Sequence, residues 1–171
     1  MFSLQFPAEE IPALAERFSY DNDESKAAAA GRDARARGHY SRQGFLDVCA
    51  WKSPRSKPLV AQNDAAAIEA ATHAAFGEQD EAKRMDALLR LDGVGIPTAA
   101  ALLCFFSPDE YPILDYRALE SLGVKGRSVY AVSFWLRYLQ ACRTLARTHR
   151  VSVRTLDKAL WQYSKETNST R

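Results

Sequence analysis

The stretch LLRLDGVGIPTAAALLCFFSPDEYPILDYRAL, residues 88–119, contains the pattern that decides the fold. A helical pattern ends at Leu91, a short turn holds Gly93 and Gly95, and Pro97 is a preferred residue in the first turn of a following helix. Glycine permits a positive φ and leaves the backbone open to a ligand. Amides exposed where a helix begins can bind an anion such as a phosphate. The stretch therefore predicts a helical hairpin suited to phosphate, although a plain αα-hairpin has a similar turn.

Helical patterns also occupy most of the chain on both sides of this hairpin. The sequence predicts helices in Pro7–Tyr20, after Ser41, after Asn63 or Asp64, across Glu78–Leu91, after Asp115, from about Ser128 to Arg147 and around Val153–Lys165. Residues 21–38 are charged and Ala-rich, which is typical of either a soft helix or a connector. Because no alternating strand pattern of useful length is present, we expect an all-α fold.

The composition is that of an ordinary soluble protein, with 47% hydrophobic and 26% charged residues. The chain has no apolar stretch of membrane-spanning length, and its first residues lack the pattern of a signal peptide. We therefore expect a cytoplasmic monomer with no membrane partner. The three cysteines, Cys49, Cys104 and Cys142, lie within apolar helical patterns and are expected to be buried. We expect no disulfide, no metal and no cofactor.

Positive charge is concentrated in the C-terminal third of the chain. Residues 117–171 hold 11 Lys/Arg and 3 Asp/Glu, whereas residues 1–116 hold 12 and 18. Within the basic part, Arg143, Arg147 and Arg150 fall on one stripe of a predicted helix. This asymmetry indicates either a polyanionic partner or a solvated helix face.

Residues 91–99, Leu-x-Gly-Val-Gly-x-x-Thr-Ala, resemble the helix-hairpin-helix of the DNA glycosylase superfamily that includes endonuclease III and the adenine glycosylases. In that superfamily an aspartate follows the second helix, and Asp115 stands at the expected place, 22 residues after Gly93. The segment Tyr111–Asp115 is also similar to the Phe-Pro-Ile-Leu-Asp of the adenine enzymes. The detailed resemblance covers residues 88–119, within an all-α chain.

The resemblance implies a two-lobed glycosylase fold that binds double-stranded DNA. One lobe would hold residues 40–113, the other would combine residues 1–39 with 114–171, and Asp115 would lie at the mouth of a cleft between them. The expected contacts with the DNA backbone come from Gly93, Val94, Gly95 and Thr98.

Asp115 is the expected catalytic residue. Cleavage of an N-glycosidic bond builds positive charge on the deoxyribose, which an ionised carboxylate stabilises while it orients or deprotonates the attacking water. The competing interpretation is structural, because aspartate is also a good helix N-cap.

The chain departs from the family pattern in two ways. Bifunctional members carry a lysine where Pro97 stands, and many members have a four-cysteine cluster that this chain lacks. Pro97 favours a monofunctional enzyme in which water is the nucleophile. Two alternatives remain open: a non-catalytic DNA-binding module, and a lyase-active glycosylase that uses Lys52 or Lys125.

A base flipped out of the duplex needs an aromatic or apolar surface to stack on and groups to hydrogen-bond with. The sequence suggests Tyr40 or Trp51 for the base pocket, and Lys52 or Arg55 for a flanking phosphate or the base. Tyr116 and Arg117 are further cleft candidates, although each of these six residues also has an ordinary structural interpretation. Alkylated, oxidised, deaminated and hypermodified phage bases all remain open as targets, as do genome repair and antiviral defence.

Overall fold

The computed structural model describes residues 2–20, 22–126 and 129–168. Within these residues the secondary structure is helical and contains no strand, which confirms the all-α prediction. The helices are α1 (Ile11–Glu16), α2 (Ser25–Arg37), α3 (Arg42–Lys52), α4 (Lys57–Val60), α5 (Ala65–Gly77), α6 (Glu81–Leu89), α7 (Ile96–Phe106), α8 (Tyr116–Ser121), α9 (Val132–Thr148) and α10 (Val153–Asn168). None of these helices is both long and apolar enough to cross a membrane.

The helices form two units, residues 21–108 and residues 1–20 with 109–171. This division differs from the predicted lobes, which placed residues 1–39 with the C-terminal part and residues 109–113 with the hairpin. The reason for the first difference is α2, which packs against α3 and α7 and is not a connector. Its Ala27, Ala30 and Ala34 are buried. A Cβ on Gly31 would lie 2.0 Å from the carbonyl oxygen of Phe105, so the two helices touch through their backbones.

The core of the unit formed by residues 21–108 is α7. Every residue of this helix from Ile96 to Phe105 except Pro97 is buried, and α2, α3 and α6 surround it. A helix that is apolar on all sides is stable only when other elements cover it. The predicted caps of the surrounding helices form as expected: Ser41 accepts from the Gly44 amide at 3.1 Å, and Asp64 accepts from the Ala67 amide at 2.7 Å.

The central element of the other unit is α10, which packs against α1, α8 and α9. The extended N-terminal residues run beside the end of α8, where the amides of Ser3 and Gln5 donate to the carbonyl oxygens of Leu122 and Ser121 at 3.2 and 3.0 Å. The N-terminal segment is thereby attached to the C-terminal half of the chain.

The boundaries of α9 correct one sequence prediction. The expected start at Ser128 lies outside the described residues, and the helix begins at Val132. It ends at Thr148, and Arg150 adopts a left-handed conformation with φ 55°. Arg143, Arg147 and Arg150 therefore do not form a continuous helical stripe.

The cysteines behave as buried apolar residues, as predicted. Cys49, Cys104 and Cys142 are all fully buried. Burial raises the pKa of the Cys49 thiol to about 12 and that of Cys142 further above its ordinary value. The thiols of Cys49 and Cys142 are therefore protonated and unreactive at neutral pH.

Candidate functional site

The hairpin turn between α6 and α7 depends on glycine at position 93. Gly93 has φ 75°, a left-handed conformation that side chains disfavour. A Cβ at this position would lie 2.8 Å from Cβ of Leu59 and 2.9 Å from the backbone nitrogen of Val60. The turn is thus packed directly against α4, and only glycine satisfies both the backbone conformation and the available space.

Gly95 has a different role from Gly93. It is the N-cap of α7, with an extended φ of −95°, and it is exposed. A Cβ at this position would meet only Cδ of Pro97, at 3.9 Å. Neither the backbone conformation nor the packing requires glycine at this position. Because Gly95 has no side chain, a ligand can approach the beginning of α7.

The backbone amides at the beginning of α7 directly follow Gly95. Among the described residues, no backbone carbonyl accepts a hydrogen bond from the amides of Gly95, Ile96 or Thr98, and Pro97 has no amide hydrogen. Amides in this position, at the positive end of the helix dipole, are suited to an anion.

Two of the predicted backbone contacts need correction in detail. Val94 is 8% exposed, and its amide donates to the carbonyl oxygen of Leu91 at 3.2 Å, so this amide already has a partner in the turn. Thr98 as a whole is 4% exposed, and therefore its hydroxyl is not an open contact for a ligand. The amides of Gly95, Ile96 and Thr98 remain the candidate anion-binding groups of the hairpin.

Asp115, the predicted catalytic residue, is the N-cap of α8. Its side chain is half-buried, and its Oδ1 accepts a hydrogen bond from the Arg117 amide at 2.9 Å. It directly follows Leu114, which is fully buried. The carboxylate therefore lies at the edge of the core, and the hydrogen bond from the first turn of α8 helps to orient it.

A buried network fixes the backbone two residues before Asp115. The hydroxyl of Tyr138 donates to the carbonyl oxygen of Ile113 at 2.9 Å, and the Ile113 amide donates to Oδ1 of Asp157 at 3.0 Å. Asp157 also forms an ion pair with Arg154. Burial raises the pKa of the Tyr138 hydroxyl well above its usual value, so it remains a hydrogen-bond donor. Both polar groups of Ile113 are held by side chains from α9 and α10.

Tyr116 and Arg117 lie beside Asp115 at the surface of the same unit. Tyr116 is 53% exposed and is one of the few large apolar side chains that face solvent among the described residues. The guanidinium carbon of Arg117 lies 5.2 Å from the centre of the Tyr116 ring and 5.4 Å from that of Trp161. The structure thus places an exposed aromatic ring and a cation next to the candidate carboxylate.

Tyr40, predicted for the base pocket, is a core residue. It is fully buried, its hydroxyl donates to the carbonyl oxygen of Leu102 at 2.8 Å, and its amide donates to Thr72 at 3.0 Å. The hydroxyl of Tyr40 is bonded to a backbone carbonyl of α7, and its ring is buried in the core. Tyr40 therefore does not line an open pocket, and that part of the prediction is wrong.

Trp51 lines a cavity, although little of the residue is exposed. It is 6% exposed and packs edge-on against Phe105, with ring centroids 5.0 Å apart. Its indole nitrogen donates to the carbonyl oxygen of Asn22 at 3.3 Å. The cavity encloses about 860 Å³ and is bounded by residues of α2, α3 and α4.

The two cations predicted beside Trp51 do not line this cavity, whose cationic lining residues are Lys26 and Lys57. Lys52 ends α3 and is half-buried, and Arg55 is exposed in the 3-10 turn Pro54–Ser56.

Three residues that support the site were not singled out from the sequence: Asn63, Tyr138 and Asp157. Asp157 has a detectable signal in the sequence, because it is an acidic residue flanked by the apolar Leu156 and Ala159 of the same helix pattern. The sequence indicates Asn63 only as a possible cap for α5, and Asp64 takes that role. Tyr138 is indistinguishable in sequence from any other core aromatic residue.

Comparison of the chain with protein-family models, with curated proteins and with solved structures found no match in any of the three.

Proposed function

We propose that this chain is a monofunctional DNA glycosylase that removes a modified or damaged base from double-stranded DNA. The observation that carries the proposal is that two local structural features occur within one short stretch of sequence. One is a turn with a left-handed Gly93 that opens onto the first amides of α7. The other is the half-exposed carboxylate of Asp115, at the spacing that the glycosylase superfamily uses.

The hairpin would hold the DNA backbone. The amides of Gly95, Ile96 and Thr98 would donate to the oxygens of one phosphate, and α7 is long enough, at 11 residues, for its dipole to contribute. Phosphate contacts position a protein on DNA without reading its sequence. Binding is therefore expected to depend weakly on sequence and strongly on salt.

Asp115 would act on the sugar of the flipped nucleotide. As the N-glycosidic bond breaks, its electron pair leaves with the base, and the ionised carboxylate stabilises the positive charge that develops on the deoxyribose. Water adds at the carbon that carried the base and loses a proton to Asp115 or to solvent, while the departing base, unless it was cationic, takes up a proton from solvent. The products would be the released base and an intact strand with an abasic site.

A second candidate function is a DNA-binding module without catalytic activity. The hydrogen bond from the Arg117 amide to Asp115 favours it, because this bond already gives the carboxylate a structural purpose as the cap of α8. The two functions differ in whether the negative charge at position 115 is needed, since a neutral side chain of the same shape still caps a helix.

The experiment that tests the proposal is a panel of duplexes with alkylated, oxidised, deaminated or hypermodified bases. After incubation, hot alkali converts abasic sites into strand breaks. We compare the wild type with Asp115→Asn and with a control, Asp64→Asn, which changes the N-cap of α5 in the same way. Asp115→Asn is expected to lower the single-turnover rate on the order of 100-fold or more. Asp64→Asn is expected to leave that rate unchanged.

The possible results separate the two functions. If Asp115→Asn releases the base at the wild-type rate, the catalytic assignment is wrong. If no duplex in a broad panel loses a base while all proteins bind DNA, the non-catalytic module is the better account.

A further inference from the structure

One face of α10 carries cations that the sequence analysis did not single out. Arg154, Lys158, Trp161 and Lys165 follow one another at spacings of four, three and four residues, which places them on a single face of the helix. The helix rises about 1.5 Å per residue, so the face extends for about 16 Å from Arg154 to Lys165.

An aromatic cluster lies against this face. The Phe18 and Trp161 rings meet edge to face with centroids 5.3 Å apart, and Tyr20 lies 5.0 Å from Trp161. Phe18 and Tyr20 belong to the segment that follows α1, in the same unit as α10. The rings give the long cationic side chains of α10 an apolar surface to pack on.

The cations lie over these rings. Arg154 and Lys158 are 5.6 and 5.4 Å from the centre of Phe18, and Lys165 is 5.0 Å from the centre of Trp161. Arg117, from the beginning of α8, lies over Trp161 at 5.4 Å. We refer to the four cations Arg117, Arg154, Lys158 and Lys165 together as the cationic–aromatic surface.

The surface has two properties that suit a polyanion. Arg117, Lys158 and Lys165 are half-buried on aromatic rings, and the Arg154 side chain is only 14% exposed, so much of the cations' conformational freedom is lost on folding and not on binding. An aromatic ring also orients a cation without cancelling its charge. The surface lies in the part of the chain that carries 11 basic and 3 acidic residues, and one of the three, Asp157, pairs with Arg154.

The surface is continuous with the candidate catalytic residue through Arg117. The amide of Arg117 donates to Asp115, and its guanidinium lies over Trp161. When a nucleotide of a DNA strand reaches Asp115, Arg117 therefore lies beside that nucleotide. The cations of α10 lie beyond Arg117 on the same surface.

We propose that the cationic–aromatic surface binds the phosphodiester backbone of the DNA strand that flanks the nucleotide held at Asp115. The inference rests on the proposed function and adds a second anchor to the hairpin. One strand of duplex DNA carries a phosphate about every 3.4 Å along the axis, so a face of about 16 Å lies alongside several phosphates. This anchor also replaces the predicted stripe of Arg143, Arg147 and Arg150, which the end of α9 interrupts.

Lys158 is the position at which to test the proposal. Arg154 pairs with the buried Asp157, and Nζ of Lys165 donates to the carbonyl oxygen of Ser19, so replacing either would disturb the fold. The variants are Lys158→Gln, which removes the charge, and Lys158→Arg, which keeps it. Arg147→Gln is the matched control, because it removes one exposed charge from α9. Urea unfolding of each variant confirms that it is folded.

The measurement is the affinity for an unmodified fluorescent duplex at several KCl concentrations. Lys158→Gln is expected to weaken binding on the order of fivefold and to reduce the slope of log affinity against log salt by about one. Lys158→Arg and Arg147→Gln are expected to keep the wild-type affinity and slope.

The outcomes also distinguish this inference from the proposed function. If the wild type binds DNA and Lys158→Gln has the same affinity and slope, the surface is not a DNA anchor, and the glycosylase proposal stands. The inference is equally wrong if Arg147→Gln weakens binding as much as Lys158→Gln. If the wild type binds no duplex at any salt concentration, both proposals fail.

Discussion

The side chain of Asn63 forms two hydrogen bonds with the backbone of Asp92, one as donor and one as acceptor. Its Nδ2 donates to the Asp92 carbonyl oxygen at 2.9 Å, and the Asp92 amide donates to its Oδ1 at 2.9 Å. Nδ2 also donates to the carbonyl oxygen of Val60 at 3.0 Å. Because Asn63 is 6% exposed, water does not readily replace these bonds. Asn63 therefore fixes the residue before Gly93, and with it the hairpin turn.

Asn63→Ala is expected to destabilise the protein by about 2–4 kcal/mol, because it removes the three hydrogen bonds that its buried side chain makes with the backbone of Asp92 and Val60. Urea unfolding followed by circular dichroism measures this change. The control is Gln62→Ala, which removes an amide side chain from the exposed neighbouring position and should cost less than about 0.5 kcal/mol. Equal stabilities for the two variants would contradict the anchoring role of Asn63.

The two glycines of the hairpin are expected to respond differently to alanine. Gly93→Ala forces a side chain into a left-handed conformation and against Leu59 and Val60, so it should destabilise the fold by about 2 kcal/mol or more. Gly95→Ala should change the free energy of unfolding by less than about 0.5 kcal/mol. It should nevertheless weaken binding to every duplex by a similar factor, because its methyl group covers the beginning of α7.

Urea unfolding and duplex-binding titrations of the two single variants test this difference. A folded Gly95→Ala protein with wild-type affinity for DNA would show that the first amides of α7 do not hold a phosphate.

The sequence predicted those parts of the molecule in which a local pattern determines a local structure. Gly93 and Pro97 predicted the turn between α6 and α7, and Ser41 predicted the start of α3, because turns and caps depend on a few neighbouring residues. Tyr40 was placed in the base pocket wrongly, because its burial depends on α5 and α7, which are distant in sequence. The Ala-rich segment before Gly38 was ambiguous for the same reason. Its small residues are explained only by the close approach of Gly31 to Phe105.

Tyr138→Phe tests whether the buried network around Ile113 positions Asp115. The substitution removes one hydroxyl and leaves the Ile113 carbonyl oxygen without that donor, at a cost in stability of about 1–2 kcal/mol. Because Ile113 lies two residues before Asp115, the single-turnover rate of base release should also fall. A fall in this rate with an unchanged affinity for DNA is the signature of a positioning residue.

Tyr163→Phe is the matched control for this measurement. Its hydroxyl also donates to a backbone carbonyl, that of Gln5 at 2.8 Å, at an exposed site of the same unit. Tyr163→Phe should leave the rate of base release unchanged. If both variants lower the rate equally, the effect of Tyr138→Phe reflects general stability and not the position of Asp115.

The nucleophile of base removal is expected to be water. Pro97 has no amine, so the product should be an intact abasic strand that breaks only after heating in alkali. Lys52 and Lys125 are the two residues that could replace the lysine of bifunctional glycosylases. Lys52 ends α3 in the unit of residues 21–108. Lys125 is exposed after Gly123 in the other unit. An amine nucleophile would form a Schiff base with the abasic sugar, which borohydride reduces to a stable protein–DNA adduct. A water nucleophile forms no such adduct. We therefore expect no trapped band on a duplex from which the wild type releases its base.

A trapped band that is lost in Lys52→Ala or Lys125→Ala would instead assign the nucleophile to that lysine. A trapped band that is lost only in Asp115→Asn would leave the amine unidentified, but it would still exclude the water mechanism.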